Sequence, residues 1–205
     1  MDDYNRVEWG QMKAVLNKLG GVDGMHRFLR DELVLVEKDG GQVKRAETPK
    51  LLIPNKRTLA VALAKEHNPS DYYQTRTGLH VFSDFRASVV AAAKPMIAGF
   101  EFGKLQRFLL GRKTTGQELL SARSKSIFSA TELCAWLGAK IDQQPNGEAG
   151  DLLNNGNLNL FLVEVSKGAV FVVSVFWSSG SRGWHVGPWL LGFRFNTGHQ
   201  FVSRN

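Results

Sequence analysis

Cysteine is almost missing from this chain of 205 residues: Cys134 stands alone. A single thiol excludes an internal disulfide framework and a cysteine-rich zinc site, and a reducing cytoplasm is the expected setting. Also missing is an apolar run long enough to cross a membrane, which takes about 18 or more residues. The longest apolar region, Leu158 to Trp177, is broken by Glu164, Lys167 and Gly168, and it reads as a hairpin. The opening Met1-Asp2-Asp3 is acidic and polar, the wrong chemistry for a secretory signal. Proline is scarce, but Pro49, Pro54 and Pro69 fall close together and interrupt residues 42–78. No internal repeat or low-complexity tract is present.

Acidic charge is in deficit, and unevenly so. Residues 1–128 hold 21 Lys/Arg against 14 Asp/Glu, whereas residues 129–205 hold 5 against 5, so the net +7 lies in the first part. Lys104, Arg107, Arg112, Lys113, Arg123 and Lys125 crowd into one stretch that contains a single acid, Glu118. Such a balance favours a polyanionic partner, nucleic acid or an acidic protein. Apolar residues make up 43% of the chain, enough for a folded core.

Helical spacing of Val7, Met12, Val15, Leu16 and Leu19 predicts an amphipathic helix over Arg6–Leu19. Gly20-Gly21 ends it, and a second short helix follows over Val22–Arg30. Leu33–Glu37 reads as a strand and Leu79–Phe85 as an edge strand. Arg86–Lys94, Lys104–Leu110 and Gln117–Ala122 read as short helices. Ser129-Ala130-Thr131-Glu132 has the spacing of a capping box, and Leu133, Trp136, Leu137 and Ile141 continue from it as one apolar stripe. Beyond the polar loop of residues 147–157, Leu158–Val165, Ala169–Trp177 and Trp184–Leu191 read as antiparallel strands. A fourth short strand is expected within Phe193–Val202.

The expected fold is therefore α+β. A C-terminal module of residues 129–205 packs one helix on a three- to four-stranded antiparallel sheet. A mixed, largely helical and basic region of residues 1–128 precedes it.

Three stretches carry a resemblance. Leu19-Gly20-Gly21-Val22-Asp23-Gly24 with Phe28-Leu29-Arg30 and Glu32-Leu33, then Gln144-Pro145-Asn146-Gly147-Glu148 with Asn155-Gly156, and finally Ser203-Arg204-Asn205, resemble motifs of a family of small uncharacterised bacterial proteins. The resemblance implies a shared fold and no particular chemistry.

Several constellations bear on function. The basic residues Lys104, Arg107, Arg112, Lys113, Arg123 and Lys125 are expected to neutralise phosphates, with Thr114 and Thr115 as added donors. Gly111–Gly116 is not a P-loop, because its Lys-Thr pair precedes the second glycine. Gly180-Ser181-Arg182-Gly183 has the form of a KH-type GxxG clamp. It joins predicted strands, so a hairpin turn is the plainer reading, with Arg182 at its tip able to touch a ligand. The N-terminal helix pair allows a helix-turn-helix with Met25, His26, Arg27 and Arg30 as readers, although two short helices around glycine pack together for no such purpose in many folds. Trp177, Trp184 and Trp189 with Phe171, Phe176, Phe193 and Phe195 are read as core, with base stacking or a protein partner as the functional alternatives.

Strand alternation sends Trp184 and Val186 to one face and His185 to the other. His185 is the alternative catalytic candidate, for acid–base cleavage of a phosphodiester. His67, His80 and Cys134 lack metal-ligand spacing, and no cofactor is expected. The leading expectation is a non-catalytic protein that binds nucleic acid. A small ribonuclease or a protein-interaction module is the alternative.

Overall fold

The computed structural model describes residues 9–29 and 49–204, in two compact units divided between Pro49 and Lys50. In the first unit, helix α1 (Trp9–Leu19) is followed directly by α2 (Gly21–Leu29). Gly20 and Gly21 take φ of 87° and 83°, the left-handed region where glycine carries no Cβ penalty, and this ends α1 where the sequence places the stop. The expected strand over Leu33–Glu37 and the residue Arg30 lie outside the described residues.

Among the described residues, eight strands of the second unit form one mixed sheet. They are β1 (Leu52–Ala62), β2 (Leu79–Val81), β3 (Glu101–Leu110), β5 (Phe128–Ser129), β6 (Asn159–Ser166), β7 (Ala169–Ser178), β8 (Gly183–Trp189) and β10 (Gln200–Arg204). The order is β1-β3-β10-β6-β7-β8-β2, with β5 also paired to β6. Strands β4 (Thr114–Thr115) and β9 (Arg194–Phe195) form a separate antiparallel ribbon. The β1–β3 and β6–β7–β8 pairings are antiparallel. The β2–β8, β5–β6 and β10–β6 pairings are parallel.

This corrects the expected three- to four-stranded antiparallel sheet. The sheet is larger and mixed, because it recruits strands from residues 52–110. The boundary between residues 128 and 129 falls inside β5, within the second unit. Lys104–Leu110, read as a helix, belongs to β3. The cause lies in burial on both sides: Leu105 packs with one core layer and Phe108 and Leu110 with the other, so the polar–apolar alternation of a half-exposed strand is lost.

Two layers cover the sheet. On one face lies α6 (Ala130–Gln143), which buries Leu133, Trp136, Leu137 and Ile141 against Phe161, Val163, Val173 and Val175. Its capping box is formed as the sequence predicts: the Glu132 amide donates to Ser129 Oγ at 3.2 Å, and the Ser129 amide donates to Glu132 Oε2 at 3.1 Å. The short helices α3 (Pro69–Tyr72) and α4 (Ser83–Phe85) join this layer, with α4 running into a π-helical turn over Arg86–Val90. On the opposite face, α5 (Gly116–Ala122) packs Leu119 over Leu160, Leu162 and Val172. Its first residue, Gly116, sits where a Cβ would lie 2.6 Å from Val172, so α5 starts in close contact with β7.

The Gln144–Glu148 motif organises the loop after α6. The Gln144 side chain donates to the Glu148 and Leu152 carbonyls and accepts from the Leu152 amide. Its own carbonyl accepts from the Trp184 indole at 2.6 Å. Gly147, at φ 71°, lies under the Trp177 ring, where a Cβ would approach within 2.3 Å. No helix among the described residues is long and apolar enough to cross a membrane.

Candidate functional site

The clustered cations do not form one surface. Arg107 is 4% exposed; its guanidinium donates to the Asp151 carbonyl at 2.9 Å and lies 3.6 Å from that residue's carboxylate. Lys140, equally buried, reaches the same carboxylate at 2.6 Å. Arg107 is thus a core residue, out of reach of a phosphate. The side chain of Lys104 lies outside the described residues.

The other cations surround α5. Arg112 pairs with Glu118 at 2.8 Å, and Lys113 is exposed beside it. Arg123 lies over the Phe108 ring at 4.3 Å, and Lys125 is exposed. Arg194 on β9, also exposed, stands opposite Thr115. Burial pushes the Glu118 carboxyl up, but the Thr115 amide and the Arg112 and Thr114 side chains outweigh it and hold the group below its usual value. The sequence shows a second sidedness once the units are known. Residues 1–49 hold 8 Lys/Arg against 9 Asp/Glu and residues 50–205 hold 18 against 10, so the second unit carries the whole positive excess.

Beyond α5, toward β8 and β2, the same sheet face carries aromatic side chains open to solvent. His80 on β2 pairs with His185 on β8, and their rings lie 4.8 Å apart. Phe176 on β7 stacks on His185 at 5.0 Å, and Phe82 meets His80 edge-on at 5.1 Å. The Phe82 ring covers Gly187, where a Cβ would come within 2.8 Å of it. Further along β8, Trp189 donates its indole N–H to Ser174 Oγ at 2.8 Å and packs on Phe193 at 4.1 Å. Phe82, Trp189 and Phe193 are 45%, 36% and 41% exposed.

Cations stand at both ends of this row. Arg182 is exposed at the tip of the β7–β8 turn with φ 50°, and Lys113 and Arg194 lie by the β4–β9 ribbon next to Phe193. Trp184 and Val186 are fully buried on the α6 side while His185 is half-buried on the other, as alternation predicts.

His185 has a hydroxyl neighbour: Ser181 Oγ is 2.7 Å from its Nε2. Partial burial lowers the pKa of His185 from its ordinary 6.5, and the nearby His80 adds to the effect. The Gly180–Gly183 segment is the turn between β7 and β8, so a KH-type clamp between two helices is absent there.

A separate polar cleft of about 480 Å³ lies between the segment after β1 and the end of α6, lined by Lys65, His67, Tyr72, Arg76 and Asp142 among others. Tyr72 donates to Asp142 at 2.7 Å, and Lys65 lies 3.2 Å from the same carboxylate. His67 packs its ring against Gly138, and its Nε2 is buried without a hydrogen-bond partner. These contacts tie α3 to α6. Among the described residues no three His, Cys, Asp or Glu side chains gather closely enough to hold a metal.

Alternation over Leu79–Phe85 already sets His80 and Phe82 against Leu79 and Val81, although the strand stops at Val81 and α4 follows; the partner strand, and with it the His80–His185 pair, could not be read from that pattern. Compared with models of protein families, with curated proteins and with solved structures, the chain matches none of them.

Proposed function

We propose that the chain binds single-stranded nucleic acid along the open face of the sheet. The observation that carries this reading is the row of rings on one face, with Phe82, His80, Trp189 and Phe193 exposed, His185 and Phe176 half-buried, and cations at both ends. Bases freed from a duplex stack on such rings, each stack contributing about 1–3 kcal/mol. Lys113, Arg194 and Arg182, with Lys125 in the turn after α5, neutralise phosphates and release counterions. A duplex keeps its bases stacked on one another, so single strands bind more tightly. The site replaces the continuous basic tract: Arg107 drops out, Arg112 and Arg123 border the face through their contacts with Glu118 and Phe108, and the rings supply the stacking.

Fluorescence anisotropy of the full chain with labelled 12-nucleotide RNA and DNA tests it. The expected result is preference for single strands and affinity that falls with salt. Phe82→Ala and Phe193→Ala should each weaken binding by about 5- to 150-fold, the equivalent of one lost stack. Lys113→Glu and Arg194→Glu should each reduce the salt slope by about 1. Absence of binding at low salt, or binding indifferent to both ring substitutions, refutes the reading. Salt-insensitive capture of a protein at the same rings would assign the face to a protein partner instead.

A further inference from the structure

The neighbouring imidazoles are more than stacking surface. We propose that His80 and His185 cleave RNA by metal-independent transesterification, an activity that rests on the nucleic-acid reading above. The two residues are 105 positions apart in the chain, and the parallel pairing of β2 with β8 sets them side by side on an exposed face with 4.8 Å between rings. A phosphate lying over the pair meets an edge of each ring. That is the arrangement the reaction needs: one group to take a proton and one to give one, both within hydrogen-bond reach of about 2.6–3.2 Å.

The roles follow from the surroundings. His185 is wedged between Phe176 and His80, half-buried and held in place, while His80 is exposed. His185, whose Nε2 already faces a hydroxyl, is the base, and His80, exposed on the substrate side, is the acid. The Ser181 hydroxyl, 2.7 Å from His185 Nε2, donates to that nitrogen in the neutral tautomer that carries its proton on Nδ1. It occupies the position that a ribose 2′-hydroxyl takes when substrate displaces it. Ser181 is a positioning residue, not a nucleophile.

The step balances without a metal or a redox partner. His185 Nε2 accepts the 2′-hydroxyl proton as the 2′-oxygen bonds to the adjacent phosphorus. The bond from phosphorus to the 5′-oxygen breaks, and His80 gives its proton to that oxygen. The products are a 2′,3′-cyclic phosphate and a 5′-hydroxyl, and exchange with water restores both rings. Arg182, in the β7–β8 turn beside Ser181, supplies positive charge near the phosphate. Phe82, in contact with His80, receives the base next to the scissile bond. DNA lacks the attacking hydroxyl and is bound but not cut.

The test incubates the full chain with a labelled 20-nucleotide RNA, and with its DNA counterpart, in EDTA, and measures anisotropy on the same samples. The substitutions His80→Phe and His185→Phe keep a ring for stacking and remove the proton-transfer groups. The expected result is RNA cut to cyclic-phosphate ends and DNA left intact. Each variant, purified identically, should lose at least about 100-fold in rate with affinity within threefold of the parent. RNA bound but left whole overturns this inference and leaves the binding reading standing, as does cleavage undiminished in both variants. Failure to bind either strand overturns both.

Discussion

Removing the Asp151 carboxylate should cost the fold far more than removing an exposed acid. Lys140 and Arg107 both turn to it, at 2.6 and 3.6 Å, and both cations are at most 5% exposed. In Asp151→Ala the Lys140 ammonium remains inside the protein without the carboxylate it touches, and Arg107 loses its contact with the same group; breaking a buried pair in this way costs about 3–5 kcal/mol. Two features moderate the loss. The carboxylate itself is 29% exposed, so water reaches its position. The Asp151 backbone carbonyl also survives the substitution and still accepts from Arg107 and Gln200.

The lower end, about 3 kcal/mol, is therefore expected, equivalent to a fall in Tm of about 6–12 °C for a chain of this size. Urea denaturation followed by tryptophan fluorescence measures it. Lys65→Ala is the internal control: it breaks the Lys65–Asp142 pair, whose lysine is 77% exposed, and should cost less than about 1 kcal/mol. Replacing the pair together, as Lys140→Met with Asp151→Leu, should recover part of the loss, since the stranded charge goes with its partner. A change below 1 kcal/mol in Asp151→Ala would refute the reasoning and return Arg107 to the solvent-facing cations.

Gly147→Ala should destabilise the protein strongly, because it combines a positive φ of 71° with a Cβ placed 2.3 Å from the Trp177 ring; a thermal melt that stays within 2 °C of the parent would contradict that geometry. Stability should also decline as pH falls from about 7.5 to 5.5. Burial lowers the pKa of His67, His185 and His199 below 6.5, so the unfolded chain takes up protons first and is favoured by acid until the folded forms protonate too. Glu118 and Glu148 contribute only further down, below about pH 5, where carboxyls held under 4.5 begin to lose ionisation in the unfolded chain. Urea midpoints at the two pH values check the sign, and His67→Phe should flatten the dependence.

Much of the second half of the chain was legible because its signals are local. The Ser129–Glu132 box, the apolar stripe of α6 and the strands and turns of the meander from Leu158 to Trp189 each declare themselves in neighbouring residues. The same holds for the glycine stop after α1. What could not be read depends on distant partners. Strand β3 hides its alternation because both its faces are covered, and a run of basic residues along a strand, a turn and a helix end says nothing of which side each takes. Arg107 shares its face with Leu105 and turns inward, whereas Lys113 and Lys125 point to solvent. The His80–His185 contact depends on a parallel pairing that no local pattern specifies. The Gln144–Glu148 stretch was noticed for its composition; its task, pinning a loop beneath two tryptophans, emerges only with Trp177 and Trp184 in place.

Strand β10 hydrogen-bonds to β3 on one side and β6 on the other. The strands of the antiparallel β1–β3 pair and of the β6–β7–β8 meander are all present once residue 189 has been made, but the seam between them waits for β10. During synthesis the facing edges of β3 and β6 therefore stay unpaired until residues 200–204 have been made, and an unpaired strand edge is where a growing chain sticks to its neighbours.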